Sequence, residues 1–413
     1  MSAASPRIIE LVEYSPVLLA RSEIPDAVGE ALWHNYETQV AVDFPSHKTG
    51  NRWRLTARGW VGHIPLTPDF HFALRPKVQL GNLLRMLEYA YDLKSFRFLE
   101  GLFDCQSLEE FYERLADILA SRILNRGRQG FYCAYLPKTE YLPYVRGRIN
   151  VREVISKPWN IKVRCDYDEH TADVEENQIL AWTVWCIARS GLCTERVLPT
   201  VRRAYHLLQG LVTLQPKSPQ VCVGRQYNRL NEDYRLLHAL CWFFLEQMGP
   251  SFEMGERPML PFLVDMARLY ERFVAEWLKV HRETALLPQG LDIKSQERLY
   301  VGEGKDIYFD IDLVLQDVAT GGAKYVLDTK YKAPTAPASS DIAQVVAYAE
   351  AKGCQEAILV YPIPLVEPLD IRVGRIRIRS LTFSIAGDLE QAGYKFLEDL
   401  LGTTFLGSEV FCQ

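Results

Sequence analysis

Two short hydrophobic segments near residue 320 constrain the fold of this chain most strongly, because each contains an aspartate inside a run that favours a β-strand. Asp312 lies in IDLVL, and Asp328 lies in YVLDTKYK, with Lys330 two positions later. Side chains alternate along a strand, so Asp328 and Lys330 should share one face. If the two segments pair as an antiparallel hairpin through the turn sequence VATGG, Asp312 lies beside Asp328.

The predicted pair of aspartates is suited to a divalent cation. Two ionised carboxylates in an apolar sheet repel each other unless positive charge lies between them. Carboxylate oxygens and water are preferred ligands of Mg²⁺ and Mn²⁺, which can polarise a phosphate and activate a water molecule. Lys330 would orient that water or stabilise developing charge. The alternative is a pair of turn-capping aspartates beside a surface lysine.

Residues of two neighbouring helices favour the metal-site interpretation. Glu271 lies in LYERFV, within a long amphipathic helix that precedes the first strand. Gln344 and Tyr348 lie four positions apart in the helix after the second strand, and therefore share a face. A solvated position on the helix surface is the alternative for Glu271. The predicted order of helix, three strands, helix and strand is typical of an α/β core.

The rest of the chain divides into two further regions. Residues 1–80 contain strand-like runs separated by turn signals, whereas residues 81–255 carry apolar side chains mainly at helical spacing. The segment GPSFEMGERP, residues 249–258, is the predicted boundary. We therefore expect a mixed α/β protein with a β-rich region at 1–80, a mainly helical region at 81–255 and an α/β domain at 256–413.

Composition and charge exclude several classes of protein. Hydrophobic residues make up 48% of the 413 residues, and no apolar run approaches the roughly 20 residues of a transmembrane helix. The N-terminus lacks the layout of a signal peptide, so we expect a cytoplasmic protein with no membrane contact. The net charge is −5, and residues 256–413 contain 17 Lys and Arg against 23 Asp and Glu. Non-specific affinity for DNA therefore has to come from local basic stripes or from a partner.

Cysteine, histidine and glycine patterns give no support to other cofactors. The nine cysteines contain no C-x₂-C pair, and we expect buried, reduced thiols rather than an iron–sulfur cluster. The histidines form no H-x₃-H pair, which argues against a zinc hydrolase. The string GEGKD at residues 302–306 lacks the rest of a phosphate-binding loop and is predicted to be a turn.

Several segments of the chain resemble the McrC family, whose members are the nuclease subunits of McrBC modification-dependent restriction systems. The similar segments of the C-terminal region are LYERFV, DIDLVL, YVLDTKYK, DIAQVVAYA and ILVYP. Upstream, VGHIPLTPDFHFALRPKV and YLPYVRGRINVREVI are also similar to McrC proteins. The resemblance covers most of the chain and is least specific in the middle region.

The resemblance implies a C-terminal PD-(D/E)xK restriction-endonuclease-like core. Asp312 matches the first metal-binding aspartate of the family, although Ile311 stands where the family usually has proline. Asp328 and Lys330 match the D-x-K pair, and the backbone carbonyl of Thr329 is implied as a further ligand of Mg²⁺ or Mn²⁺. Because proline supplies no ligand, the departure at Ile311 leaves the implied metal site intact.

The family pattern also gives roles to residues outside the hairpin. Gln344 matches the helix glutamine that supports the site, with Tyr348 beside it, and Glu271 corresponds to a helix glutamate near the metal. Tyr348 and Lys332 are candidates for DNA contact.

Three arginines of the segment GRIRIRS are further candidates for DNA contact. Arg375, Arg377 and Arg379 alternate along this segment, so they should share one strand face. They could bind phosphates, or they could protect a solvated edge strand by their charge, and the sequence does not choose between these interpretations.

McrC proteins act with a partner, and the resemblance implies one here. The expected partner is a McrB-like AAA+ GTPase hexamer that binds GTP, while residues 1–80 and 81–255 bind and stimulate it. The expected substrate is double-stranded DNA, methylated or otherwise modified.

Two alternative functions are an inactive activator of the AAA+ ring and a stand-alone DNA repair nuclease of the same fold. The intact set of Asp312, Asp328 and Lys330 argues against the first, and the acidic charge and long N-terminal portion argue against the second.

Overall fold

Helices and strands alternate along the chain in a mixed α/β architecture that divides into two units. The computed structural model describes residues 6–91, 105, 107–149, 151–156, 159–248, 260–301, 307–332 and 334–403. One unit combines residues 1–108 with residues 262–413, and the other contains residues 109–261. The first and last of the three expected regions are thus grouped in one unit. The expected boundary at 249–258 and the expected turn at 302–306 lie outside the described residues.

The N-terminal part of the first unit is rich in short strands, as predicted for residues 1–80. Its elements are β1 (Arg7–Val12), β2 (Val17–Leu19), α1 (Asp26–Tyr36), β3 (Val40–Asp43), β4 (Trp53–Ala57), β5 (Trp60–Pro65), β6 (Phe70–Arg75) and α2 (Leu80–Ala90). The strands form a three-stranded sheet in the order β2-β4-β3, and β1, β6 and β5 are neighbours in a second sheet. Helix α1 was not predicted. It buries Val28, Leu32 and Tyr36, which are spaced four residues apart.

The second unit contains the predicted helices and, in addition, a small sheet. Its elements are α3 (Leu108–Gln129), β7 (Ala134–Leu142), β8 (Arg148–Ile149), α4 (Val151–Ser156), β9 (Val163–Thr171), α5 (Glu175–Arg189), α6 (Leu198–Gln209) and α7 (Tyr234–Glu246). Strand β9 was not predicted, and it pairs with both β7 and β8.

Across the described ranges of the chain, eight cysteines are free of disulfides and seven of these are buried. No helix in these ranges is long and apolar enough to cross a membrane.

The C-terminal part of the first unit is built on a six-stranded mixed sheet. Its elements are β10 (Phe262–Asp265), α8 (Met266–Val280), β11 (Leu291–Val301), β12 (Ile307–Asp317), β13 (Ala323–Thr329), α9 (Ser339–Lys352), β14 (Glu356–Tyr361), β15 (Asp370–Val373), β16 (Ile376–Thr382) and α10 (Leu389–Leu401). The sheet order is β11-β12-β13-β14-β16-β15. The β11–β12 and β12–β13 pairs are antiparallel, whereas α9 connects β13 to the parallel strand β14. The predicted antiparallel hairpin of β12 and β13 is therefore confirmed.

The N-terminal and C-terminal parts of the first unit share a sheet through β10. This strand pairs antiparallel with β5, and the resulting order is β1-β6-β5-β10. At the end of β10, the Asp265 side chain accepts hydrogen bonds from the backbone N–H groups of Ala267 and Arg268, and so caps helix α8. The direction of α8 therefore depends on a strand pairing between residues about 200 positions apart.

Gly62 allows the close approach of β5 to β10. It has φ +139°, and a Cβ atom at this position would lie 2.0 Å from the backbone oxygen of Phe262. Any side chain would therefore push the two strands apart.

We predict that Gly62→Ala lowers the free energy of unfolding by about 3 kcal/mol or more, because the clash is with backbone rather than with a mobile side chain. Gly50→Ala is the matched control. Gly50 also has positive φ, at +63°, but its Cβ would meet no atom within 4 Å. Its cost should be about 1 kcal/mol. Urea unfolding of both variants tests the prediction, and equal losses would show that the β5–β10 contact can relax.

Candidate active site

Asp312 and Asp328 lie side by side in the β12–β13 hairpin. Leu313 pairs with Leu327, so the antiparallel register brings the two aspartates opposite each other at the next position. The Asp312 Oδ2 atom accepts hydrogen bonds from the backbone N–H and the hydroxyl of Thr329, at 2.8 and 2.9 Å. The orientation of Asp312 is thus fixed by the strand that carries Asp328.

Lys330 is held between Asp328 and helix α9. Its Nζ atom lies 2.7 Å from Oδ2 of Asp328, whose side chain is 2% exposed. The same ammonium donates a hydrogen bond to Oε1 of Gln344 at 3.1 Å, and Gln344 Nε2 donates to the hydroxyl oxygen of Tyr348 at 2.7 Å. The pair of residues expected on one face of α9 therefore forms a chain of hydrogen bonds that ends at Lys330.

Glu271 extends the acidic cluster from helix α8. Gln296 on β11 donates its side-chain N–H to Oε1 of Glu271 at 3.4 Å. Burial, and then the charge of Asp312, raise the pKa of Glu271 to about 7. Glu271 is thus partly buried and close enough to Asp312 to be affected by its charge, rather than on a fully solvated helix surface.

The two aspartates and the lysine have perturbed pKa values because they are buried together. Burial, and then the charge of Asp312, raise the pKa of Asp328 to about 6. Burial also raises the pKa of Asp312, against the hydrogen bonds from Thr329. Burial alone would lower the pKa of Lys330, but the contact with Asp328 and the charges of Asp312 and Asp341 together outweigh this effect and raise it. Asp312 and Asp328 thus share the neighbouring Lys330 ammonium, and additional positive charge would stabilise their ionised forms.

The residues present fit a divalent cation of the magnesium type. Asp328 Oδ2 is buried without a hydrogen bond of normal geometry, and the Lys330 ammonium lies 2.7 Å from it. In the part of the chain that the structure describes, no three His, Cys, Asp or Glu side chains converge on one metal position. An ion here would depend on the two aspartates, backbone oxygen and water. That set suits Mg²⁺, which usually keeps several waters and uses one or two carboxylates.

Asp341 is an acidic residue of the site that the sequence analysis missed. It lies in the first turn of α9, and its Oδ2 atom is 2.5 Å from Nζ of Lys332. Its charge also contributes to the raised pKa of Asp328, after burial and Asp312. An acidic residue in the first turn of a helix is common for electrostatic reasons, so its sequence position gave no separate signal. Lys332, a candidate for DNA contact, is engaged by this ion pair.

The three arginines of GRIRIRS do not form a free basic stripe. Arg375 pairs with Glu350 at 2.7 Å, and Arg377 pairs with Asp370 at 2.7 Å. Arg379 lies 3.4 Å from Glu356 and donates hydrogen bonds to two backbone carbonyls of α10. The edge-strand interpretation is wrong, because β16 lies between β14 and β15. Contact of these arginines with DNA stays a prediction, and it would compete with the existing ion pairs.

Glu13 connects the N-terminal segment to the strand end that carries Lys330. It is fully buried, and it accepts hydrogen bonds from the backbone N–H of Lys77 at 3.0 Å and from the hydroxyl of Tyr331 at 3.2 Å. Burial raises the pKa of Glu13. No local pattern could predict this contact, because Glu13 and Tyr331 are 318 residues apart.

We predict that Asp328→Asn raises the melting temperature of the metal-free protein at pH 8 by a few °C. The folded-state pKa of about 6 lies above the ordinary 3.8, so the folded protein loses stability as pH rises between these values. Neutral asparagine avoids this loss, and the difference from wild type should shrink towards pH 4.

Asp310→Asn is the matched control in a calorimetric pH series. Asp310 lies on the same strand, and its hydrogen bond from Arg298 lowers its pKa, so the substitution should not stabilise the protein. A lower melting temperature for Asp328→Asn than for wild type at pH 8 without metal would contradict the account of the acidic cluster.

Comparisons with known proteins place the chain in a family. The model of the family described as McrBC 5-methylcytosine restriction system component matches residues 55–362. A curated relative from Escherichia coli K12, the type IV methyl-directed restriction enzyme EcoKMcrBC, is 22% identical over 212 residues. That alignment covers 50% of this chain and 60% of the relative, so the chain spans less than two thirds of the relative's length.

A solved structure has a similar fold over nearly the whole chain. It is a half-complex from the tetradecameric assembly of Thermococcus gammatolerans McrB AAA+ hexamers with bound McrC. Its matched chain is 17% identical, with a TM-score of 0.53 and coverage of 95% of this chain and 99% of that chain. The family match spans residues 55–362, which is more than half of the chain. This chain belongs to the McrBC 5-methylcytosine restriction system component family.

Proposed function

We propose that this chain is the endonuclease subunit of a GTP-dependent McrBC-type restriction complex that hydrolyses phosphodiester bonds of modified DNA. The observation that carries the proposal is the arrangement of Asp312 in the middle of β12 beside Asp328 and Lys330 at the C-terminal end of the paired strand β13. These residues are buried together, and the hydrogen-bond chain from α9 ends on the lysine. The cost of burying like charges makes this arrangement hard to explain as a purely structural feature.

The surrounding topology supports assignment of the domain to the PD-(D/E)xK class. A helix with Glu271 precedes the antiparallel strands that carry the aspartates, and α9 with Gln344 follows. The parallel strand β14 then completes the central part of the sheet. We assign residues 256–413 to this nuclease class on that order of elements.

Asp312, Asp328 and the backbone carbonyl of Thr329 would hold Mg²⁺ or Mn²⁺. When bound, such an ion supplies charge stabilisation at the scissile phosphate and lowers the pKa of bound water. The backbone carbonyl adds an oxygen donor without adding charge to the cluster.

The protein's own side chains would position and stabilise the reacting groups. Lys330 carries an ammonium with a raised pKa, so it stays protonated near neutral pH and can stabilise the pentacovalent phosphate. Gln344 accepts a hydrogen bond from Lys330 and so fixes its direction. Glu271, with a pKa of about 7, can accept or release a proton close to neutral pH.

A McrB-like AAA+ GTPase is the proposed partner. The similar solved structure contains McrC bound to McrB AAA+ hexamers, and this chain has the same fold over most of its length. The sequence contains no phosphate-binding loop, so GTP would be bound by the partner. The net charge of −5 also favours a complex in which the partner supplies much of the affinity for DNA. We place such a complex in the cytoplasm.

We predict that Asp328→Ala lowers the rate of DNA cleavage at least about 100-fold, while stimulation of the partner's GTPase activity is preserved. The substitution removes one proposed metal ligand and leaves the N-terminal segment unchanged. The measurement is cleavage of methylated and unmethylated plasmid by the complex with GTP and Mg²⁺, together with the rate of GTP hydrolysis.

Asp310→Ala is the matched control for this experiment. Asp310 is an exposed aspartate on β12 that pairs with Arg298, and its loss should leave cleavage unchanged. Undiminished cleavage by the Asp328→Ala complex would show that the site assignment is wrong. A wild-type complex that stimulates GTP hydrolysis but never cuts would support an inactive activator instead.

A further inference from the structure

Gln296 has an unfavourable backbone conformation in the middle of a strand. Its φ is +52°, and only two other non-glycine residues in the described ranges, Tyr14 and Asn51, also have positive φ. A left-handed conformation costs a residue with a side chain about 1–2 kcal/mol, whereas glycine adopts it freely. Strain of this kind inside a regular element persists only where surrounding contacts maintain it.

The strained residue lies opposite a proposed metal ligand. In the β11–β12 pair, Ser295 is opposite Leu313 and Glu297 is opposite Ile311. The position between these two pairs places Gln296 opposite Asp312. The ladder keeps the same register on both sides of Gln296, so the strain is not the result of an inserted residue.

The side chain of Gln296 reaches the third carboxyl group of the site. Its Nε2 atom donates a hydrogen bond to Oε1 of Glu271, on helix α8, at 3.4 Å. Gln296 thus connects the strand beside Asp312 to the helix that carries Glu271. A neutral amide suits this location, because it can direct a carboxylate by hydrogen bonding without neutralising the acidic cluster.

We infer that Gln296 is a positioning residue of the proposed nuclease site, which holds the Glu271 carboxyl beside Asp312 through its side-chain amide. The inference rests on the proposed function and adds a residue from β11 to the site. Glycine would occupy the left-handed position at lower cost. The amide contact with Glu271 therefore explains why a side chain is present there.

Gln296→Gly tests this role because stability and activity should change differently. The substitution relieves backbone strain, so the melting temperature should stay the same or rise. Loss of the amide should lower kcat for DNA cleavage by the complex about tenfold, with KM for DNA unchanged. Asn51→Gly is the matched control, because Asn51 has φ +59° in the β3–β4 connection. It should show the same trend in stability with unchanged kcat.

Combination with a change at Glu271 tests whether Gln296 acts through that residue. Glu271→Gln should already lower kcat, and the double variant Glu271→Gln/Gln296→Gly should cut no more slowly than Glu271→Gln alone. If the double variant loses kcat by the product of the two single losses, the two residues act independently and the inference is overturned. A Gln296→Gly complex that cuts DNA at the wild-type rate would also overturn it.

Stabilisation by Mn²⁺ separates failure of this inference from failure of the proposed function. The rise in melting temperature on addition of Mn²⁺ should be smaller for Gln296→Gly than for wild type or Asn51→Gly. If the wild-type complex does not cut DNA, the proposed function fails. The difference in the Mn²⁺-induced rise in melting temperature still shows whether Gln296 supports the site. Equal rises in all three proteins would overturn the inference, and no rise in any of them would overturn both claims.

Discussion

The mutual repulsion of buried carboxylates is the constraint on which the rest of the site depends. Asp328 is almost completely buried beside Asp312, and the charge of Asp312 also raises the pKa of Glu271. Lys330 offsets one charge, so the folded metal-free protein holds these groups at a cost in stability. Selection for stability alone favours apolar or paired residues at such positions. The cost is consistent with a site that binds a cation and a phosphate, because the carboxylates would attract the cation, and the cation together with Lys330 would attract the phosphate.

The scaffold holds this cluster by contacts between distant parts of the chain. Strand β10 pairs with β5, and its last residue, Asp265, caps the helix that carries Glu271. Glu13 receives a hydrogen bond from Tyr331, the neighbour of Lys330 in sequence. The N-terminal residues are therefore part of the same compact unit as strands β12 and β13. In the proposed complex, a partner that binds this N-terminal segment would therefore contact the same unit that carries Asp312, Asp328 and Lys330.

Alternation and spacing were sufficient to predict the centre of the site but not its surroundings. Two aspartates in apolar strands joined by VATGG define the hairpin locally, and helical spacing places Gln344 and Tyr348 on one face. Gln296 could not be predicted, because its role depends on a backbone conformation that the sequence does not reveal. Asp341 resembled an ordinary residue of a helix first turn, and Glu13 acts through a contact over 318 residues. Helix α1 was missed although its buried residues recur every four positions, and β9 was missed because its pairing with β7 and β8 depends on tertiary context.

Direct location of a bound cation tests the central claim most closely. Crystals of the protein soaked in Mn²⁺ would be measured at the manganese absorption edge, where anomalous scattering identifies the ion. The account predicts one strong peak with carboxylate oxygens of both Asp312 and Asp328 about 2.1 Å away. A peak bound by other residues, or none at an Mn²⁺ concentration that supports DNA cleavage by the complex, would contradict it.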